Sequence, residues 1–451
     1  MPGNLSVSEL EAAIAAGDID TVVVAFADAQ GRLVGKRVSA RLFQEEVLPH
    51  GAEACNYLLS VDVDMNTVDG YAMSSWETGY GDMMLLSDPA TLRRIPWLPG
   101  SALVIADLGW ESGAPVVQSP RDILKTQRAL LADRGLVAYS GTELEFIVFD
   151  ETYRDAWTKG YRDLKPSTDY NVDYDILASG RLEPLLRDIR LSMDGAGLYT
   201  EGVKGECNLG QQEIAFRYAE VLETADQHTI YKNGAKAIAD KHGKAITFMA
   251  KFNEREGNSC HIHLSLRDEG GTPVMAGDGG HGFSPLMEHW IAGILATLRE
   301  FTLLYAPTIN SYKRYARGSF APTGVAWGLD NRTCALRVIG HGSSLRVENR
   351  VPGGDVNPYL GIAAIIAGGL HGVEHELPLP EPLAGNAYTS GVDHLPTTLR
   401  DAARLFDESA IARAAFGDEV VEHYLNQARI EVEAFDAAVT DWERVRGFER
   451  L

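Results

Sequence analysis

In the segment GTELEFIVFD, Glu143 and Glu145 stand two positions apart inside an apolar run. On a β-strand that spacing sends both carboxylates to one face, among neighbours that belong in a core. Like charges buried together are costly unless something compensates them, so a metal ion or an arginine is implied. The same grammar recurs in CHIHLS, where His261, His263 and Ser265 share a face, and in LRVENRVP, where Arg346, Glu348 and Arg350 do. A further pair, Glu206 and Glu213 in GECNLGQQEI, has odd spacing, and the turn Asn208-Leu209-Gly210 must bring the two together.

Singly, such a histidine reads as a hydrogen-bonded core residue and such an arginine as half of an ion pair. The combination points elsewhere. Carboxylates with one or two histidines and no thiolate set favour Mg²⁺ or Mn²⁺ over Zn²⁺. Lys313, Arg314, Arg317, Arg332 and Arg337 crowd one region, and planar guanidinium forks suit carboxylate and phosphoryl oxygens. Metal plus arginine reads as phosphoryl transfer, in which the protein positions and neutralises. Neither GxxxxGK[ST] nor a kinase glycine loop is present, so a nucleotide is expected in a sheet-lined cavity.

The elements that must hold these groups can be read along the chain. A capping box, Ser6 with Glu9, opens an amphipathic helix, and two apolar runs flank Ala29-Gln30-Gly31 as a hairpin. Tyr57 to Val63 and Ala102 to Leu108 read as strands, with an irregular polar loop from Asp62 to Asp82. Ser119-Pro120-Arg121 starts a helix running to about Arg134, which puts a boundary between an N-terminal domain, 1–117, and a catalytic domain, 118–451. Strands then alternate with helices at Pro184 to Ala196, Leu222 to His242 and Pro285 to Leu304, and Leu395 to Gly447 is helix-periodic. The fold class expected is α+β.

Composition limits the partners. With 41 basic and 63 acidic residues the net charge is -22, which repels a nucleic-acid backbone. Of the 451 residues, 45% are hydrophobic and 23% charged, ordinary for a folded globular protein. Cys55, Cys207, Cys260 and Cys334 form no CxxC pair, in keeping with a reducing cytoplasm. The N-terminus lacks a secretory pattern, and the longest apolar run, Tyr359 to Leu370, falls short of the roughly 20 residues that span a bilayer, so cytoplasmic location without a membrane partner is expected.

In order and spacing, the E-x-E strand, the E-x(6)-E segment, KFNEREGNSCHIHLS, NSYKR, DNRTCALR and RVENR followed by NPYL resemble the glutamine synthetase superfamily from about residue 15 to the C-terminus. The resemblance implies a small N-terminal β-grasp domain and a catalytic domain with a curved antiparallel sheet, assembled as a dodecamer of two hexameric rings. It implies one divalent ion, Mg²⁺ or Mn²⁺, on Glu145, Glu206 and Glu213, and a second on Glu143, His261 and Glu348. ATP contacts are implied at His263, Ser265, Arg337 and Arg346, glutamate contacts at Gly257, Arg314 and Arg350, and phosphoryl stabilisation at Arg332. The implied reaction passes through γ-glutamyl phosphate to an amide. Each site is expected to be completed by a neighbour's N-terminal acid, for which Asp62 and Asp64 are candidates.

Departures from the family pattern carry information about the acceptor. Ammonia-using members have a glutamate just before Ala-Pro in the loop after Tyr-Lys-Arg; here Phe320 stands there, and no acid occurs from Phe301 to Leu329. A small cation would lack charge to bind and deprotonate it, whereas a phenyl ring beside Gly318 and Ser319 leaves apolar room for a larger amine. Phe252 and Glu256 also depart from the family's usual residues. The segment YRDAWTKGYRDLKPSTDYNVDYDILASG looks like that of γ-glutamyl-polyamine and related ligases, in which Tyr170, Asp173, Tyr174 and Asp175 read either as contacts to a cationic amine or as part of a solvated loop. Tyr388 lies near the family's adenylylation tyrosine in a poorly matching context, and no such regulation is expected. The reading is therefore an ATP-dependent ligase joining glutamate to a primary amine, a polyamine or an ethanolamine-like monoamine. An ammonia-dependent glutamine synthetase and a catalytically silent structural or sensor relative are the alternatives; the latter requires a lost metal ligand, and all are present.

Overall fold

The computed structural model describes residues 3–451. The helix Val7–Ala15 opens with the expected capping box: the Ser6 backbone N–H donates to the Glu9 carboxylate at 2.8 Å while the Ser6 hydroxyl accepts from the Glu9 N–H. Strands β1 (Thr21–Ala27) and β2 (Leu33–Ser39) form the antiparallel hairpin, closed by Asp28, whose carboxylate accepts from the N–H groups of Gln30 and Arg32, and by Gly31 at φ +75°.

With β3 (Ala52–Cys55), β4 (Asp82–Ser87), β5 (Arg93–Arg94) and β6 (Ser101–Gly109) they make a sheet of order β2-β1-β6-β4-β3, with β5 also on β6. Parallel pairing of β1 with β6 at the centre, and a helical run over residues 40–50 between β2 and β3, give the β-grasp arrangement. The continuous apolar run of β6 now has a reason. Ala102, Val104 and Ala106 enter the small core with Phe26, Phe43 and Val47, while Leu103 and Ile105 on the other face enter the large core of the remaining chain. The strand read over Tyr57 to Val63 is instead a 3₁₀ turn, Asn56–Leu59, followed by a single bridge from Val61 to Thr67. Buried Asn56, donating to the Met73 carbonyl, and buried Leu59 require that helical spacing.

The second sheet runs β13-β14-β15-β12-β7-β9-β8, where β7 is Leu136–Phe149, β8 Thr200–Gly205, β9 Gln211–Phe216, β12 Cys260–Asp268, β13 Trp327–Leu329, β14 Leu336–Ile339 and β15 Arg346–Asn349; the short β10 (Ala219–Glu220) and β11 (Ala245–Thr247) add to β7. All its pairings are antiparallel except β13 with β14. Helices Pro120–Ala132, Val221–Lys241, Pro285–Thr297 and Pro358–Glu374 contribute to the core behind it. Pro285–Thr297 and Pro358–Glu374 approach so closely that a Cβ on Gly293 would lie 2.2 Å from the Gly368 carbonyl oxygen. The helix expected to reach Leu304 pauses after Thr297 and resumes as Thr302–Tyr305. Among the described residues no helix is long and apolar enough to cross a membrane.

Two polar latches join the sheets. The buried Arg121 guanidinium, just inside the helix that follows β6, contacts Asp107 at 2.5 Å, Asp88 at 2.8 Å and Asp226 at 3.0 Å. The Asn357 side chain donates to the carbonyls of Asp28 and Ala29 at the hairpin turn.

Candidate active site

Register brings the acids together. Glu145 on β7 lies opposite Glu213 on β9, and β8 hands the chain into the turn that carries Glu206, where Gly210 at φ +71° and the Glu206 N–H to Gln211 carbonyl bond close the hairpin. Glu145, Glu206 and Glu213 then have carboxylate oxygens all within 4.8 Å of one another. Burial pushes Glu213 up to about 9, with Glu143 and Glu145 adding repulsion, and burial with Glu206 beside it pushes Glu145 up to about 7. The one ammonium among them is Lys204, which contacts Glu206.

On β12, His261 faces Glu143 of β7, and His263 pairs with Glu348 of β15. His261 Nδ1 is 3.3 Å from Glu143 and 3.5 Å from Glu348, and its buried Nε2 has no hydrogen-bond partner. Burial first, then Arg350, lowers this imidazole to about 4, keeping it neutral as a metal ligand must be. His263, read from the sequence as a nucleotide contact, lies closer still: its Nε2 is 2.9 Å from Glu143, and with Glu143 and Glu348 it forms a second group of donors within 4.8 Å. Glu348 is fully buried between Arg337 at 2.8 Å and Arg350 at 2.5 Å; burial alone would raise its carboxyl, but the positive charge around it, that of Arg350 included, outweighs burial and holds it low. Crowded oxygen donors, a neutral buried imidazole and an orphaned ring nitrogen fit hard divalent cations.

Glu143, Glu145, Lys204, Glu206, Glu213 and His261 line a cavity of about 330 Å³ together with Gly257, Phe320, Arg332, Arg337 and Arg350. Gly257 is there because the chain folds back on Ala250: a Cβ would lie 2.2 Å from the Ala250 carbonyl oxygen. Arg314 is not on the cavity wall. Its guanidinium is buried and donates to the carbonyls of Val351 and Arg350 and to the Ser259 hydroxyl, so it braces the cavity floor, while its Nε has no hydrogen-bond partner. Arg337, read as a nucleotide contact, here binds Glu348 and Asp330 on the acid side.

Phe320 is 57% exposed and sits at φ +58°, its carbonyl accepting from Arg350 at 3.4 Å. From the inserted segment, Asp173 and Tyr174 reach the cavity, with the Tyr174 ring 4.7 Å from the Lys204 ammonium. Asp175 instead caps the short helix Ile176–Ser179, and Tyr170 is exposed away from the wall. Glu256 joins the lining, and Phe252 packs on Phe149. Asp62 lines a separate cavity between the hairpin and the C-terminal helix Asp418–Ala437 of its own chain.

A second cavity of about 480 Å³ shares Glu143 with the first and is lined by His263, Ser265 and Arg346, three of the residues read from the sequence as nucleotide contacts. Tyr139, Tyr218 and Arg267 on its wall were missed. The Arg267 guanidinium lies 4.6 Å from the Tyr139 ring and 5.7 Å from the Tyr218 ring and donates to the Tyr218 hydroxyl. The signal was available: Arg267 continues the one-face series His263, Ser265 on β12.

The family described as glutamine synthetase, catalytic domain, matches residues 117–446. The chain is 64% identical over 447 residues to gamma-glutamylethanolamide synthetase GlnA4 of Streptomyces coelicolor, covering 99% of this chain and 96% of that one. It is 37% identical to glutamate–isopropylamine ligase of a Pseudomonas species, covering 95% of each. A solved GmaS/ADP complex superposes with a TM-score of 0.85 at 28% identity, covering 98% of this chain and 99% of that one.

Proposed function

The chain belongs to the glutamine synthetase family, whose enzymes use ATP and a divalent metal, and from that premise we propose that it is an ATP-dependent ligase joining the glutamate γ-carboxylate to a short primary monoamine, ethanolamine foremost. The observation that carries the acceptor assignment is Phe320: its ring stands on the cavity of the acids, in a loop with no carboxylate between Phe301 and Leu329. The names of the relatives at 64% and 37% identity support an amine acceptor.

In this reading Glu145, Glu206 and Glu213 hold one Mg²⁺, and Glu143, His261 and Glu348, with His263 adjoining, hold another. When bound, these ions neutralise phosphate oxygens. The chain's own groups do the rest. His263, Ser265 and Arg346 bind ATP in the second cavity, which meets the first at Glu143. The γ-carboxylate of glutamate, seated by Gly257 and Arg350, attacks the γ-phosphorus and ADP leaves. Arg332 and Arg350 take up charge on the transferring group. Asp173, Glu256 and the Tyr174 ring draw the amine in, Phe320 covers its carbon skeleton, and the amine nitrogen displaces phosphate from γ-glutamyl phosphate as it gives up a proton.

The residue division 1–117 and 118–451 is supported by the presence of two separate sheets, and self-association by exposed apolar side chains at Trp442, Val445 and Phe448 near the C-terminus; the dodecamer of two hexameric rings is the assembly that the family resemblance implies. A cytoplasmic location accords with four free cysteines. The test is a panel of ammonium, ethanolamine, isopropylamine and putrescine, with glutamate-dependent phosphate release and mass detection of products. Ethanolamine is expected to lead, with γ-glutamylethanolamide formed; ammonium turning over as fast would overturn the assignment.

A further inference from the structure

Phe320, at φ +58°, occupies a left-handed backbone region that bulky L side chains adopt only under strain, so something must hold it there. Two groups do so from outside its own turn. Arg350 donates to the Phe320 carbonyl, and the Tyr388 hydroxyl donates to the next carbonyl, that of Ala321, at 3.0 Å. Arg350 is itself committed to Glu348.

Tyr388 stands on a short turn, Ala387–Thr389, capped by the Asn386 side chain. The turn belongs to a strap that is fastened on both sides. Toward the loop carrying Arg332, the Asn331 amide donates to the carbonyls of Leu383 and Gly385, and the Ala387 N–H donates to the Thr333 hydroxyl. Toward the Phe320 loop, the Val325 N–H donates to the Asp393 carbonyl, and the Leu395 N–H to the Thr323 carbonyl. Tyr388 is the side chain by which this strap reaches Ala321.

We propose that Tyr388 is a positioning residue for acceptor selection, fixing the Phe320 ring over the cavity from a strap that is registered against the Arg332 loop. The inference rests on the amine-ligase reading. Losing one neutral hydrogen bond predicts an effect of about two- to tenfold, confined to the acceptor.

The experiment compares wild type, Tyr388→Phe, Phe320→Ala and the double variant in full steady-state kinetics with ethanolamine, ATP and glutamate. Tyr388→Phe is expected to raise the KM for ethanolamine two- to tenfold, to narrow the preference for ethanolamine over ammonium, and to leave the KM values for ATP and glutamate within about twofold. In the Phe320→Ala background the same substitution is expected to add nothing, because the ring it positions is gone. An unchanged ethanolamine KM, a parallel rise for all three substrates, or full additivity in the double variant overturns the proposal. Wild-type enzyme that makes no γ-glutamyl amide from any amine overturns the underlying reading instead, so the two failures are told apart.

Discussion

Glu145 and Glu213 face each other directly across the ladder of β7 and β9, and Glu206 swings in from the preceding turn to complete a trio within 4.8 Å. The fold holds these acids against their mutual repulsion. Replacing Glu213 with Gln is therefore expected to act in opposite directions on stability and activity. In chelator near neutral pH the variant is expected to be more stable than wild type, by about 1 to 2 kcal/mol, because wild type must take up a proton on folding at a carboxyl that burial pushes up to about 9, and the amide need not. With Mg²⁺ it loses at least about a hundredfold in phosphate release. Calorimetry with and without EDTA, alongside kinetics, checks both signs; a variant destabilised in chelator sinks the account.

Phe320→Glu puts a carboxylate where the loop has none. Ammonium use, read as phosphate release with ammonium chloride, is expected to rise about tenfold while kcat/KM for ethanolamine falls. An unaltered ammonium rate would strip the position of its assigned role.

Asp173 lies on the cavity 3.9 Å from the Lys204 ammonium, and the Tyr174 ring also faces that ammonium. Asp173→Asn is expected to raise the ethanolamine KM about three- to tenfold, with a steeper salt dependence in wild type than in the variant. Equal salt slopes would show that the acid does not steer the amine.

Far from the site, His423 is buried against Tyr71, with ring centroids 4.7 Å apart, and burial lowers it from 6.5 to about 4. A depressed folded value means stability that is present above the ordinary value and lost as pH falls toward the folded one. Wild type is expected to lose on the order of 3 kcal/mol relative to His423→Gln between pH 7 and about pH 4. Parallel pH profiles in urea melts would contradict a neutral buried imidazole.

Much of the site was legible because strand alternation is a two-residue rule: once Glu143 and Glu145, or His261 and His263, are set on a strand, their common face follows. What alternation cannot give is how far along that face a neighbour's donor reaches. His263 therefore lies nearer Glu143 than its nucleotide assignment implied, and Arg337 turns to Glu348. The setting of Arg314 was not legible for a related reason: charge type shows what a guanidinium can bind but not that the backbone carbonyls of Val351 and Arg350 accept from two of its nitrogens. In the N-terminal sheet, the apolar run of Tyr57 to Val63 looked extended because short runs carry no decisive period, and the buried Asn56 that bends it was one polar residue among many.

The metal-side acids and histidines lie within or beside paired strands, whereas Phe320 projects from a connecting loop with more than half its surface in water. On the proposed role of Phe320, exchange at this one position redirects which nucleophile is accepted without disturbing the ladder beneath. A change of acceptor would then need only a new side chain at the rim, with the strands that carry the acids left as they are.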